Sequence, residues 1–178
     1  MSILNELYES IESEQLWKST LQLDRNAILK TAGSIDTHLY FIQSGSIKIS
    51  IYTENEEHLI RFGYAGNFIT ALDSFIQETP SPFEMQALKK TEVKVLRKAD
   101  YLALIDRDEK LRKIWDVLQQ QLILQQLDRE IDLLTSSPKA RYERVLKRSP
   151  QLFQEIPHRY IAAYLRMTPE TLSRLKKS

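Results

Sequence analysis

The chain has 178 residues, 42% of them hydrophobic and 28% charged, with a net charge of +1 and no cysteine. That length suits one medium domain with an appendage, or two small domains sharing a long helix, and the balance allows a packed core. Lack of cysteine excludes disulfides, thiolate nucleophiles and cysteine-ligated iron–sulfur clusters. The near-zero net charge conceals a split. Residues 137–178 hold ten Lys or Arg against three acidic residues, a segment charge of +7, while residues 1–136 carry −6. A basic tail on an acidic body points to a polyanionic partner; a solvated basic face without a partner is the alternative.

The first residues, Met1 to Ser13, hold Glu6, Glu9 and Glu12 and no basic side chain, so no export signal is expected and the cytoplasm is the expected compartment. Leu4, Leu7, Tyr8 and Ile11 form the apolar face of a short amphipathic helix. His38, Leu39, Tyr40, Phe41 and Ile42 then lead into a turn at Gly45, and Ile47, Ile49 and Ile51 alternate with polar residues as in a strand with one buried face. Leu59 to Phe62 and Glu92 to Leu96 read as further strands. All four glycines lie between 33 and 66. Short strands separated by glycine turns predict a small antiparallel barrel or roll over roughly residues 20–98. Apolar runs such as Leu39 to Ile42 are far too short to cross a bilayer, so no membrane partner is expected. His38, His58 and His158 are scattered, and neither a metal nor a cofactor is expected.

From about Asp108 to Thr135 there is no Gly or Pro, and strong helix formers dominate. Val117, Gln120, Leu124, Leu127, Ile131 and Leu134 step by 3, 4, 3, 4, 3, a heptad seam. Leu111, Ile114, Trp115, Leu118 and Leu122 lie apart from it and can cover the roll. Either the whole helix packs within one subunit, or the seam joins two copies. A helix of this length outruns one small roll, which favours the dimer.

Ser136-Ser137-Pro138 breaks the helix, and Pro138 suits the first turn of the next. Residues 139–148 form a short amphipathic helix that Pro150 stops. After Ile156-Pro157, Ile161, Tyr164 and Leu165 supply another apolar face. Arg166-Met167 turns the chain, Thr168 is a good N-cap and Pro169 a good first residue for the last helix. Two short helices joined by such a turn make a helix-turn-helix candidate. In the last helix Leu172 and Leu175 share one face, and Glu170, Ser173, Arg174 and Lys177 share another. Arginine can donate to guanine O6 and N7, and glutamate can accept from cytosine N4. Thr168, at the helix N-terminus, suits a phosphate. An i,i+4 ion pair between Glu170 and Arg174 explains the same spacing. We find no nucleophile–base set, metal-ligand spacing or phosphate loop, and no enzyme is expected.

The segment from Ile161 to Leu175, above all Thr-Pro-Glu-Thr-Leu-Ser-Arg at 168–174, resembles the helix-turn-helix of the Crp/Fnr (cyclic-AMP receptor protein/fumarate–nitrate regulator) family. Ala32-Gly33-Ser34, Leu39 to Ile42, Gly45 to Lys48 and Gly66-Asn67-Phe68-Ile69 resemble that family's cyclic-nucleotide-binding-like jelly roll. The resemblance implies an α+β fold: a sensor roll with its N-terminal helix over 1–107, a dimer helix over 108–136 and a helix-turn-helix over 137–178. It places Glu170 and Arg174 at base-contacting positions, with Thr168, Thr171, Ser173 and Lys177 beside them. Expected partners are double-stranded DNA, a second copy of the chain, an unidentified small-molecule effector and RNA polymerase. A ligand- or protein-binding module without sequence-specific DNA binding is the alternative.

The chain departs from the family pattern at several points. Ala71 stands where a glutamate would hold the ribose, and Ser81 stands near the position of the arginine for the cyclic phosphate. No Lys or Arg lies between Arg61 and Lys89. A buried phosphate without a cation loses its strongest hydrogen bonds, so the effector is not expected to be a cyclic nucleotide. Phe68, Ala71, Leu72, Ser81 and Phe83, facing the long helix, are the expected pocket for another ligand. Arg166 replaces a common turn glycine, and the sequence stops one residue past Lys177 without a full wing, which reduces the phosphate contacts expected.

Overall fold

The structure, a computed structural model, describes residues 3–54 and 56–177. Helix α1 (Ile3–Ser13) buries Leu7 and Ile11, one turn apart on its apolar face. Eight strands follow: β1 (Ser19–Leu23), β2 (Ile28–Lys30), β3 (His38–Ser44), β4 (Ser46–Thr53), β5 (Glu56–Tyr64), β6 (Phe68–Ile69), β7 (Glu84–Ala87) and β8 (Thr91–Arg97). A one-and-a-half-turn helix, α2 (Leu72–Gln77), separates β6 from β7. Among the described residues the strands form two four-stranded antiparallel sheets, ordered β1-β8-β3-β6 and β2-β7-β4-β5. Ile42, Ile47, Met85 and Val93 fill the space between them with no exposed surface. Gly45 makes the β3–β4 turn with φ of +91°, and a Cβ there would stand 2.3 Å from Thr91 Oγ1. Only glycine fits that turn.

Strand β4 corrects the expectation of one buried face. Residues 46–50 are buried without interruption, so the polar face of Ser46, Lys48 and Ser50 is covered too. The cover comes from the C-terminal helices. Lys48 pairs with Glu57, and its ammonium lies 5.6 Å from the ring centre of Tyr160. Strand β5 carries a bulge: Arg61 lies opposite Ile49 and Leu59 opposite Ser50, leaving Ile60 as the extra residue. The bulge turns Arg61 to the inner face that Ile49 shares with the core.

Helix α3 (Lys98–Arg107), which the sequence pattern left unread, packs Tyr101, Leu104 and Ile105 inward. Asp108 then breaks the chain and caps α4 (Glu109–Leu134), accepting from the amides of Lys110 and Leu111. The 26 residues of α4 span about 39 Å. One face seats Leu111, Ile114, Trp115 and Leu118 on the roll. The other presents Leu124, Leu127, Ile131 and Leu134 to solvent, 61%, 49%, 48% and 84% exposed, together with exposed Val117 and Gln120.

Four helices end the chain: α5 (Pro138–Arg148), α6 (Leu152–Glu155), α7 (His158–Tyr164) and α8 (Pro169–Lys177). Pro138 opens α5 and Ser137 caps it through the amide of Ala140. The short α6 was not expected. These helices bury Val145, Ile161, Leu165 and Leu172 against Leu59, Phe62 and Leu88 of the roll in one apolar cluster.

Candidate functional site

Helices α7 and α8 meet at a turn whose geometry follows from three residues. Arg166 adopts φ of +51°, the left-handed conformation for which glycine is the usual choice. Thr168 Oγ1 accepts the amide of Thr171 at 3.2 Å and so caps α8, with Pro169 in the first helical position. Leu172, with no exposed surface, then anchors α8 in the apolar cluster. That anchor fixes the rotation of the helix. Thr168, Glu170, Arg174 and Lys177 are exposed, and Thr171 and Ser173 are partly so, which gathers all six expected DNA-contacting residues along the outer side of one element.

Glu170 and Arg174 do not form an ion pair within 4 Å among the described contacts; Arg174 Nη2 instead points to Thr171 Oγ1 at 3.5 Å. The Glu170 carboxyl is held below the usual carboxylate range mainly by its own backbone N–H and the Thr168 hydroxyl, with Arg174 the weakest influence. The stripe is therefore not consumed by internal pairing, which the spacing alone left open.

The basic excess of the tail is partly internal. Asp132, fully buried at the end of α4, binds Arg144 at 3.1 Å and pairs with Arg148, and Asp128 lies within reach of both. Arg141 donates to the carbonyls of Thr135 and Arg166, joining the interhelical break to the α7–α8 turn. Three of the ten cations thus hold the terminal helices to α4. Arg174, Lys176 and Lys177 remain exposed on α8.

In the roll, Ala71 is 1% exposed and Ser81 is fully buried. Ser81 Oγ accepts the amide of Phe83. Beside it lies a cation that the window from 61 to 89 did not contain: Lys30, 4% exposed, on β2. Its ammonium donates to the carbonyls of Thr31, Ser81 and Phe83, at 2.9, 3.2 and 2.8 Å. Those three bonds use all of its protons. Burial pushes its pKa down, against the attraction of Asp36, Asp73 and Glu84.

The structure separates the five expected pocket residues. Phe68 and Leu72 line a partly open cavity of about 390 Å³ between the roll, α4 and the terminal helices, whereas Ala71, Ser81 and Phe83 lie outside its walls. Phe83 packs beside the roll core. Arg61, Arg129 and Arg148 also line the cavity; Arg61 and Arg129 carry no sequence signal, being a lone cation in a strand and one among many helix charges.

The architecture is an antiparallel jelly roll, a long helix with an open apolar face and a helix-turn-helix. Residues 20–108, half of the chain, match the cyclic nucleotide-binding domain, and the chain belongs to that family. Among solved structures, the catabolite activator protein of Thermus thermophilus is 23% identical, with 99% of this chain and 85% of that one covered and a TM-score of 0.60. FixK2 of Bradyrhizobium japonicum is 15% identical over 89% of this chain and 82% of that one, with a TM-score of 0.71. A CooA mutant from Carboxydothermus hydrogenoformans is 15% identical over 93% and 77%, with a TM-score of 0.73. At these identities the likeness is one of fold, that of the Crp/Fnr regulators. No curated protein sequence matches the chain. Among the described residues no helix is long and apolar enough to cross a membrane.

Proposed function

We propose that this chain is a homodimeric, DNA-binding transcription regulator of the cytoplasm, not an enzyme, whose effector is not a cyclic nucleotide. The outward stripe Glu170–Arg174–Lys177 carries the reading: it sits on a capped helix whose other side is anchored by Leu172, and its two opposite charges leave each other unpaired. The open seam from Val117 to Leu134 supports the dimer, because a second copy would cover it along its length. Two recognition helices then enter successive major grooves about 34 Å apart, on a pseudo-palindromic site. The saturated ammonium of Lys30 and the aliphatic Ala71 argue against cyclic AMP or cyclic GMP. RNA polymerase is the expected downstream partner.

Gel shift against a duplex selected from a random pool, at two salt concentrations, tests the reading. Arg174→Ala should weaken specific binding by about 1–3 kcal/mol and relax one base preference. Wild-type binding that is absent or insensitive to salt would leave a ligand- or protein-binding module instead. For the dimer, Leu127→Glu should give a monomer in sedimentation equilibrium; a monomeric wild type would remove the paired-helix geometry.

A further inference from the structure

The cavity between the roll, α4 and the terminal helices has a polar wall of one sign. Arg61, Arg129 and Arg148 line it, and no Asp or Glu does. Arg148 is engaged by Asp132. The other two guanidinium groups have no carboxylate partner among the described residues. Arg129 is 9% exposed; its Nη2 donates to the carbonyl of Tyr164, and its plane lies 3.6 Å from the centre of the Tyr164 ring. Its Nη1 is buried with no hydrogen-bond partner among the described residues. Arg61 is turned inward by the β5 bulge and makes no hydrogen bond or ion pair there. Tyr164 is an electrostatic neighbour of all three arginines, so the charges converge on one part of the wall. Burial pushes the pKa of both Arg61 and Arg129 down, and for Arg129 it outweighs the attraction of Tyr164 and Asp132.

A buried donor without an acceptor is costly, and Arg129 Nη1, with the half-buried Arg61 guanidinium on the same cavity, is a standing demand for an anion. The rest of the wall is chiefly apolar, with Leu72, Trp115, Leu118 and Leu122 among its residues and neutral amides at Gln121 and Gln125. A volume of about 390 Å³ falls within the usual range for small-molecule sites. We propose that this cavity binds a small organic carboxylate with an apolar body, its carboxylate on Arg61 and Arg129 and its body against Trp115 and Leu118. A fork of guanidinium donors matches a carboxylate. The site is separate from Ala71 and Ser81, and it does not depend on whether α8 reads DNA. Because its walls come from all three parts of the chain, an occupant ties the terminal helices to the roll.

The test is a fluorescence titration of the full chain with 8-anilinonaphthalene-1-sulfonate, an aromatic monoanion, followed by competition. Wild type should bind one probe per chain, and sodium decanoate should displace it; decanol should compete about tenfold less well, the difference a charged hydrogen bond makes. Arg61→Met should weaken probe and decanoate by about tenfold and leave decanol unchanged. Arg61 makes no internal hydrogen bond, so this variant remains informative if Arg129→Met loosens the terminal helices. Equal competition by decanol and decanoate, an unchanged affinity in Arg61→Met, or displacement by cyclic AMP as effective as by decanoate would each overturn the proposal.

Discussion

Two segments, 66–83 in the roll and 161–175 at the end, hold the expected effector-pocket residues and most of the expected DNA-contacting residues, and the structure treats them in opposite ways. The first keeps the backbone: Gly66 retains φ of +87°, β6 leads into α2, and Ser74 ties Asp36 to Thr79. Its chemistry has gone inward, with Ser81 buried and its carbonyl bound by Lys30. The second keeps polar side chains on the surface while its apolar residues hold the shape. A glycine turn and apolar contacts shape these segments, and their polar residues stand either inside that packing or outside it. Fold and function are encoded by different residues of the same motif.

That contrast can be broken by substitution. The largest effect should come from Asp132→Ala, which leaves Arg144 and Arg148 with Asp128 alone. Because both arginines are partly exposed and keep that partner, the loss should not exceed the lower end for a buried pair, about 3 kcal/mol, read as a fall in the urea midpoint. An unchanged midpoint would mean that the terminal helices do not rely on α4. Ser81→Arg buries a second cation beside Lys30. It should cost about 2–3 kcal/mol in the same measurement; full stability would show that the segment is less filled than its contacts imply. Arg166→Gly relieves the left-handed strain and should stabilise by up to about 1 kcal/mol, with a higher thermal midpoint. Arg174→Ala should change stability by no more than about 0.5 kcal/mol, so a larger loss in calorimetry would assign Arg174 a structural role.

Much of this was legible in the sequence because it rested on local rules. The heptad spacing separated the open face of α4 from the face on the roll, and Thr168-Pro169 marked the start of α8. Residues whose role depends on distant partners were not legible. Lys30 becomes a buried donor only because the carbonyls of Ser81 and Phe83, 51 and 53 residues later, come beside it. Arg61 faces inward only because of a one-residue bulge, and β4 reads as half-exposed until α7 lies over it. One long-range signal was present: Asp128 and Asp132, four apart on α4, match Arg144 and Arg148, four apart on α5.

The cover on β4 and β5 has a kinetic meaning. Leu59, Phe62 and Leu88 lose water only because the terminal helices rest on them. Lifting those helices would re-wet three large side chains, at roughly 1.5–3 kcal/mol each. Lifted molecules would then be fewer than about one in a thousand. An operator that required the lifted helices would have its affinity lowered by that same factor, and any agent that changed their hold on the roll would set the threshold for occupancy.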